Sequence, residues 1–222
     1  LTPLLSTIIA AAIMVLVTLA ASRHLLPYGG DAGGKLLALP KGIVTFVGII
    51  ACIAFLVEGA IMDWGGVFLT TVRHFDMSLA GTAFTVFSAA MLTMRLLGDW
   101  TVQKLGQERV VIGGSLLAVA GFLLVIFAAE PVLLYLGFFA IGIGCANVVP
   151  VFFSLLGKQR VMPISLAVPA VSTLGYLGIL MGPAVIGFIA HQTSLYTAFG
   201  LLAFLVLLQS IIAAYVYRHI LD

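Results

Sequence analysis

Seven apolar runs, each about as long as a helix that crosses a bilayer, recur along this chain and dictate most of what it can become. A hydrocarbon core of about 30 Å takes about 20 helical residues. The runs fall at 1–22, 43–70, 79–97, 110–128, 132–156, 163–190 and 194–217. With 63% of the 222 residues hydrophobic and 8% charged, a water-soluble fold has no way to hide so much apolar surface. The runs are too long for barrel strands and lack strict alternation. A lipid-embedded segment must satisfy its own backbone polar groups, so the expected fold is an all-α integral membrane protein with seven transmembrane helices.

Only one connection is long. Residues 23–42 are rich in glycine, with Pro27 and Pro40, and read as a flexible linker. The other loops are short enough that consecutive spans must run antiparallel. The first run begins at Leu1 with no preceding positive charge and is too long for a signal segment, so it is expected to be a mature span whose upstream portion is missing or was a separate chain.

Lys and Arg favour the cytoplasmic side of a membrane protein. Placing the linker there puts Arg23, Lys35, Lys41, Arg95, Lys104, Arg109, Lys158, Arg160 and Arg218 on that side and only Arg73 outside. The carboxyl terminus is then expected in the cytoplasm.

The connection between the third and fourth spans reads Arg95-Leu-Leu-Gly98-Asp99-Trp-Thr-Val-Gln-Lys-Leu-Gly106-Gln-Glu-Arg109. A carboxylate and cations at adjoining helix ends can pair when the helices close and separate when they part. The sixth span carries Gly175-Tyr176-Leu-Gly178-Ile-Leu-Met-Gly182-Pro183, in which Gly178 and Gly182 form a small-residue face and Pro183 can bend the helix. The second span contains Glu58-Gly-Ala-Ile-Met-Asp63-Trp64-Gly-Gly.

The loop resembles that of the major facilitator superfamily, in which Gly-Asp closes one helix and Gly-x-x-Arg opens the next. The Gly-Pro stretch is similar to the signature of the penultimate helix in many facilitators, and the acidic stretch to that of YbjJ-like bacterial inner-membrane facilitators. The resemblance implies helices six to twelve of a twelve-helix fold: 1–22 the last helix of an N-terminal half, 23–42 the central cytoplasmic linker, and 43–222 a C-terminal six-helix bundle. It also implies a secondary active transporter that moves a small solute by alternating access, with the solute, membrane lipid and the missing N-terminal half as its expected partners. Trp100 and Thr101 stand where the family often has a basic residue, which leaves Arg95 and Arg109 as the expected partners of Asp99.

An acid in the hydrocarbon region costs roughly 2.5–3.5 kcal/mol unless it faces water or a partner. Glu58, about 23 Å from Ile43 along a helix, is therefore expected to face an aqueous cavity as a substrate or proton site, the alternative being a structural tie between helices. Asp63 lies about 140° further round the same helix, unless Gly59, Gly65 and Gly66 break it. Trp64 either lines the cavity or sits in the interfacial aromatic belt. In the fifth span Gly137, Gly142, Gly144 and Pro150 suggest a bent, cavity-lining helix, with Asn147 its best polar candidate; Tyr176 has similar standing. Proton-coupled transport is the expectation.

Two other classes compete. The Met62-Asp63 and Leu97-Gly98-Asp99 stretches have a faint likeness to the acid pair of intramembrane aspartyl proteases, but Leu96 replaces the first glycine and the topology separates the two acids. His24, His74, His191 and His219 sit at span ends, and Cys52 and Cys145 lie alone in apolar runs, so no metal cluster, cofactor or disulfide framework is indicated. A charge of +2, scattered along the chain, does not suggest a nucleic-acid surface. A non-transporting scaffold or sensor would fit the helix count and leave the intramembrane acids without a reason.

Overall fold

In a computed structural model of the protein, residues 3–22 and 39–220 are described, without the side chains of 3–7, 10, 11, 21, 22 and 220. Most of the expected linker, residues 23–38, lies outside them. The chain divides into two compact units, Leu1–Gly34 and Lys35–Asp222. The first holds one helix, α1 (Pro3–Ser22), which is 20 residues long and strongly apolar.

Among its described residues the second unit has helices joined by short loops and no strand. It comprises α2 (Ile43–Val67), α3 (Thr82–Leu96), α4 (Gly98–Leu105), α5 (Gln107–Phe127), α6 (Pro131–Ala146), α7 (Val148–Leu156), α8 (Ile164–Gln192) and α9 (Leu195–Ile220). Allowing α2 to run on through a π-helical turn at Phe68–Val72, and joining α6 with α7, six helical stretches of this unit are long and apolar enough to cross a membrane. His74, at φ 58°, ends the α2 run. In the loop that follows, hydrogen bonds from the Ser78 hydroxyl and N–H hold the Asp76 carboxyl below its ordinary range.

Helices associate in lipid by close packing, because lipid tails are as apolar as leucine. Two crossings are built on glycine. Where α8 lies on α2, a methyl at Gly178 would run into the Cys52 carbonyl, and one at Gly182 would stand 3.0 Å from the Leu56 carbonyl oxygen. Where α5 lies on α6, a methyl at Gly114 would stand 2.7 Å from the Gly144 carbonyl oxygen, and one at Gly121 2.6 Å from that of Gly137. The glycines of the fifth span are thus taken up by packing, since a methyl at Gly142 would collide with the Phe87 carbonyl of α3. They do not break α6, which is interrupted only at Asn147.

The hydrophobic core has two parts. One is gathered around Phe68, Phe87, Phe122, Phe138 and Phe199, and the other around Val47, Val151, Phe152, Leu156 and Tyr217. Along the sixth-helix path the division falls between Ala146 and Val148, at the level of the interruption. Phe84 and Phe139 face outward.

Candidate functional site

The helical path does not stop where the apolar residues of the third span stop. After Leu97 (φ −88°, ψ 1°) the chain restarts as α4, whose sequence GDWTVQKL is polar yet helical. Asp99 in its first turn and Lys104 in its last match the helix dipole, and Lys104 Nζ lies 4.8 Å over the Trp100 ring. The helix ends at Gly106, where φ is 86° and no side chain would be comfortable. Arg95, expected at a helix end, therefore lies one break short of it, with about 15 Å of helical rise still to come before Leu105.

Glu58 occupies the middle of the α2 run, about 23 Å from Ile43 and about 21 Å from Val72. Measured back from the connecting loop, Arg95 on the antiparallel α3 reaches the same level. Its Nη2 lies 2.8 Å from Glu58 Oε1. A carboxylate and a guanidinium at this depth each cost heavily alone, and pairing offsets the cost. This corrects the expected pairing: in this structure Arg95 binds Glu58, not Asp99, and Asp99 is exposed.

A second bond fixes the guanidinium. In an unbroken helix the Ala146 carbonyl would accept from the N–H of residue 150, but that residue is proline and has none. Arg95 Nε donates to the Ala146 carbonyl instead, at 3.3 Å. Reciprocally, Asn147 Nδ2 donates to the Met94 carbonyl near the end of α3, at 3.5 Å. Gly98 faces Asn147, and a methyl there would stand 2.6 Å from Asn147 Oδ1. The two interruptions thus face one another, each end held by a side chain of the other helix. Arg95, Gly98, Asp99, Gln107, Asn147 and Ser154 line part of a cleft of about 230 Å³ beside them.

The remaining candidates are dispersed. Asp63 is exposed, and because α2 is unbroken through Gly59, Gly65 and Gly66 it keeps its different bearing from Glu58. Trp64 ties α2 to α8: its indole N–H donates to the Pro183 carbonyl at 3.0 Å, and Gly187 makes room for the ring. Tyr176 is exposed and stacks on Phe55 of α2, with centroids 6.1 Å apart and planes 6° apart. Arg109 is exposed in the first turn of α5.

Two polar features escaped the sequence reading. Gln209 of α9 donates to Ser115 Oγ of α5 at 3.1 Å in the core. Their signal is that each is a polar residue within an apolar run. Arg73 Nη2 donates to the carbonyls of Val125 and Ile126, at 2.8 and 2.7 Å, near the end of α5, and its guanidinium lies over the rings of Phe68 and Tyr196. Its signal is a lone cation beside a helix terminus.

Six helices long and apolar enough to cross a membrane, several of them packed through glycines, with an ion pair at the middle of the α2 run, define a multi-pass membrane protein. The chain belongs to the Major Facilitator Superfamily, whose family model matches residues 47–220. It is 43% identical over 208 residues to an uncharacterized MFS-type transporter of Yersinia pestis, covering 93% of this chain and 54% of that protein. An uncharacterized transporter of Sinorhizobium fredii is 32% identical over 183 residues, with 82% and 48% covered. The chain therefore spans about half the length of the curated relatives it matches. Among solved structures, a peptide transporter POT in complex with sulfate superposes with a TM-score of 0.65 at 21% identity, over 82% of this chain and 39% of that one. That likeness is one of fold.

Proposed function

We propose that the chain is the C-terminal half, with the preceding helix α1 as a seventh span, of a twelve-helix secondary active transporter that carries a small solute across the bacterial inner membrane. The relatives are named transporters, which favours a carrier over an enzyme or a scaffold. Its partners are the N-terminal half of the same transporter, lipid and the solute, and its carboxyl terminus is cytoplasmic.

The observation that carries this reading is the Glu58–Arg95 pair at mid-depth, beside two interrupted helices. Facilitated movement by alternating access needs a site near the midplane and helices able to bend around it. Glu58 is the protonatable residue of the cycle. Asn147 joins it at the hinge, while Tyr176, Trp64 and Asp63 line the path or its walls. Gly98, Asp99, Gly106 and Arg109 form the cytoplasmic gating connection, with Arg95 the residue that links it to Glu58. Gly178, Gly182 and Pro183 set the α2–α8 crossing.

The test is reconstitution of the full-length protein with Glu58→Gln beside the parent. Gradient-driven uptake should be lost while solute exchange without a gradient survives. Full pH-driven accumulation by the mutant would sink the assignment and pass the coupling role to Asp63.

A further inference from the structure

We propose that the solute carries a carboxylate, and that this carboxylate binds Arg95 in the place Glu58 occupies when the site is empty. The inference rests on the carrier reading above and names the class of its substrate.

Charge accounting leads there. Glu58 and Arg95 meet at mid-depth and cancel. The other ionisable groups around them do not replace Glu58. Cys145 of α6 lies within electrostatic reach of both, Tyr176 of α8 is a neutral phenol stacked on Phe55, and the ionisable side chains of α9 lie at its ends, at Tyr196 and from Tyr215 to His219. When Glu58 takes up a proton, the guanidinium at its level is left with its positive charge unmatched, and arginine cannot discharge.

Asp99 is the nearby competitor, about one helical turn further along. The anchor decides against it. Arg95 Nε is held by the Ala146 carbonyl, which Pro150 leaves without a helical donor whatever the state of Glu58. The guanidinium thus stays at the level of Ala146. Its side chain is 42% exposed against 15% for Glu58, so its outer edge remains open. A fork of N–H groups held in place from behind is shaped for bidentate capture of a carboxylate. The Glu58 carboxylate, already seated there, shows that this group fits. Phe55, three residues before Glu58 on the same face of α2, and the exposed Tyr176 stacked on it offer a flat apolar surface to the body of the ligand. One proton then enters with one anion, and the site keeps its neutrality.

The experiment is calorimetric titration of the full-length protein in nanodiscs with acetate, lactate and benzoate, using benzamide and inorganic phosphate as controls. At least one carboxylate should bind the parent with uptake of about one proton, read from the dependence of the heat on buffer ionisation. Glu58→Gln, which presents a neutral side chain, should bind that carboxylate at least tenfold more tightly at neutral pH and without proton uptake. Adding Arg95→Gln should abolish the binding. Should a variant fail to fold, the proton uptake of the parent alone decides. The proposal is overturned if no carboxylate binds the parent, if binding takes up no proton, if the double variant binds as well as the single one, or if benzamide or phosphate binds as tightly. Accumulation of a solute without a carboxylate, driven through Glu58, would overturn it while leaving the carrier reading intact.

Discussion

Gly98 and Asn147 stand against one another across the two helix interruptions, so closely that a methyl at 98 would sit 2.6 Å from Asn147 Oδ1. Asn147 is 7% exposed and holds the Met94 carbonyl, so it has little room to retreat. Gly98→Ala is expected to cost ~1–3 kcal/mol, as overpacking in a tight interior does. A thermal melt in detergent checks it. In an Asn147→Ala background the cost of the same change should largely vanish, because residues in contact couple. Equal costs in both backgrounds would show that the contact does not matter.

Pro150→Ala returns an N–H to the turn and offers the Ala146 carbonyl its ordinary helical partner. Arg95 should then lose its second anchor and α6 should continue into α7 with less of a bend. Stability is expected to hold or rise slightly while transport falls severalfold. Unchanged uptake by the variant would mean the interruption is not used.

The α2–α8 crossing tolerates no methyl at Gly178, where the obstacle is the Cys52 backbone carbonyl and cannot swing aside. Gly178→Ala should lower thermal stability by ~1–3 kcal/mol. Gly113→Ala is the control, since nothing lies within 4 Å of a methyl there; it should be neutral or stabilising by up to ~1 kcal/mol through helix propensity. Similar melts for the two variants would contradict the packing account.

Single cysteines at Ser78 and Gln103 report on topology. Both positions are exposed, one in the loop after α2 and the other in α4. An impermeant thiol reagent is expected to reach them from opposite sides of the membrane, Ser78 from outside. Labelling of both from one side would refute the orientation.

The apolar spans were legible because a bilayer demands length and hydrophobicity, and both are written residue by residue. The helix that continues beyond the third span was not. Gly98–Leu105 is too polar to read as a span, but it has the propensity and terminal charges of a helix, so hydropathy stopped where helix did not. Arg95 therefore read as a residue of a span's end, and its pairing with Glu58 was hidden. Glu58 itself stood out as an acid in an apolar run. Its partner did not, because the match depends on two antiparallel helices counted from their shared loop. The bend at Asn147 was legible from Pro150, whereas the neighbouring glycines, read as breakers, turned out to be packing surfaces, a distinction set by helices distant in sequence.

Arg73 closes the far end of the bundle, binding the last turn of α5 from the end of the α2 run. In α3 and in the path from α6 to α7 the interruptions, at Leu97 and Asn147, fall at one level, that of the ion pair. These two paths are therefore continuous between the Arg73 end and the level of the ion pair, and jointed at it. A bend in either path gathers at these joints, where the ion pair lies, and carries the Arg73 end along with it.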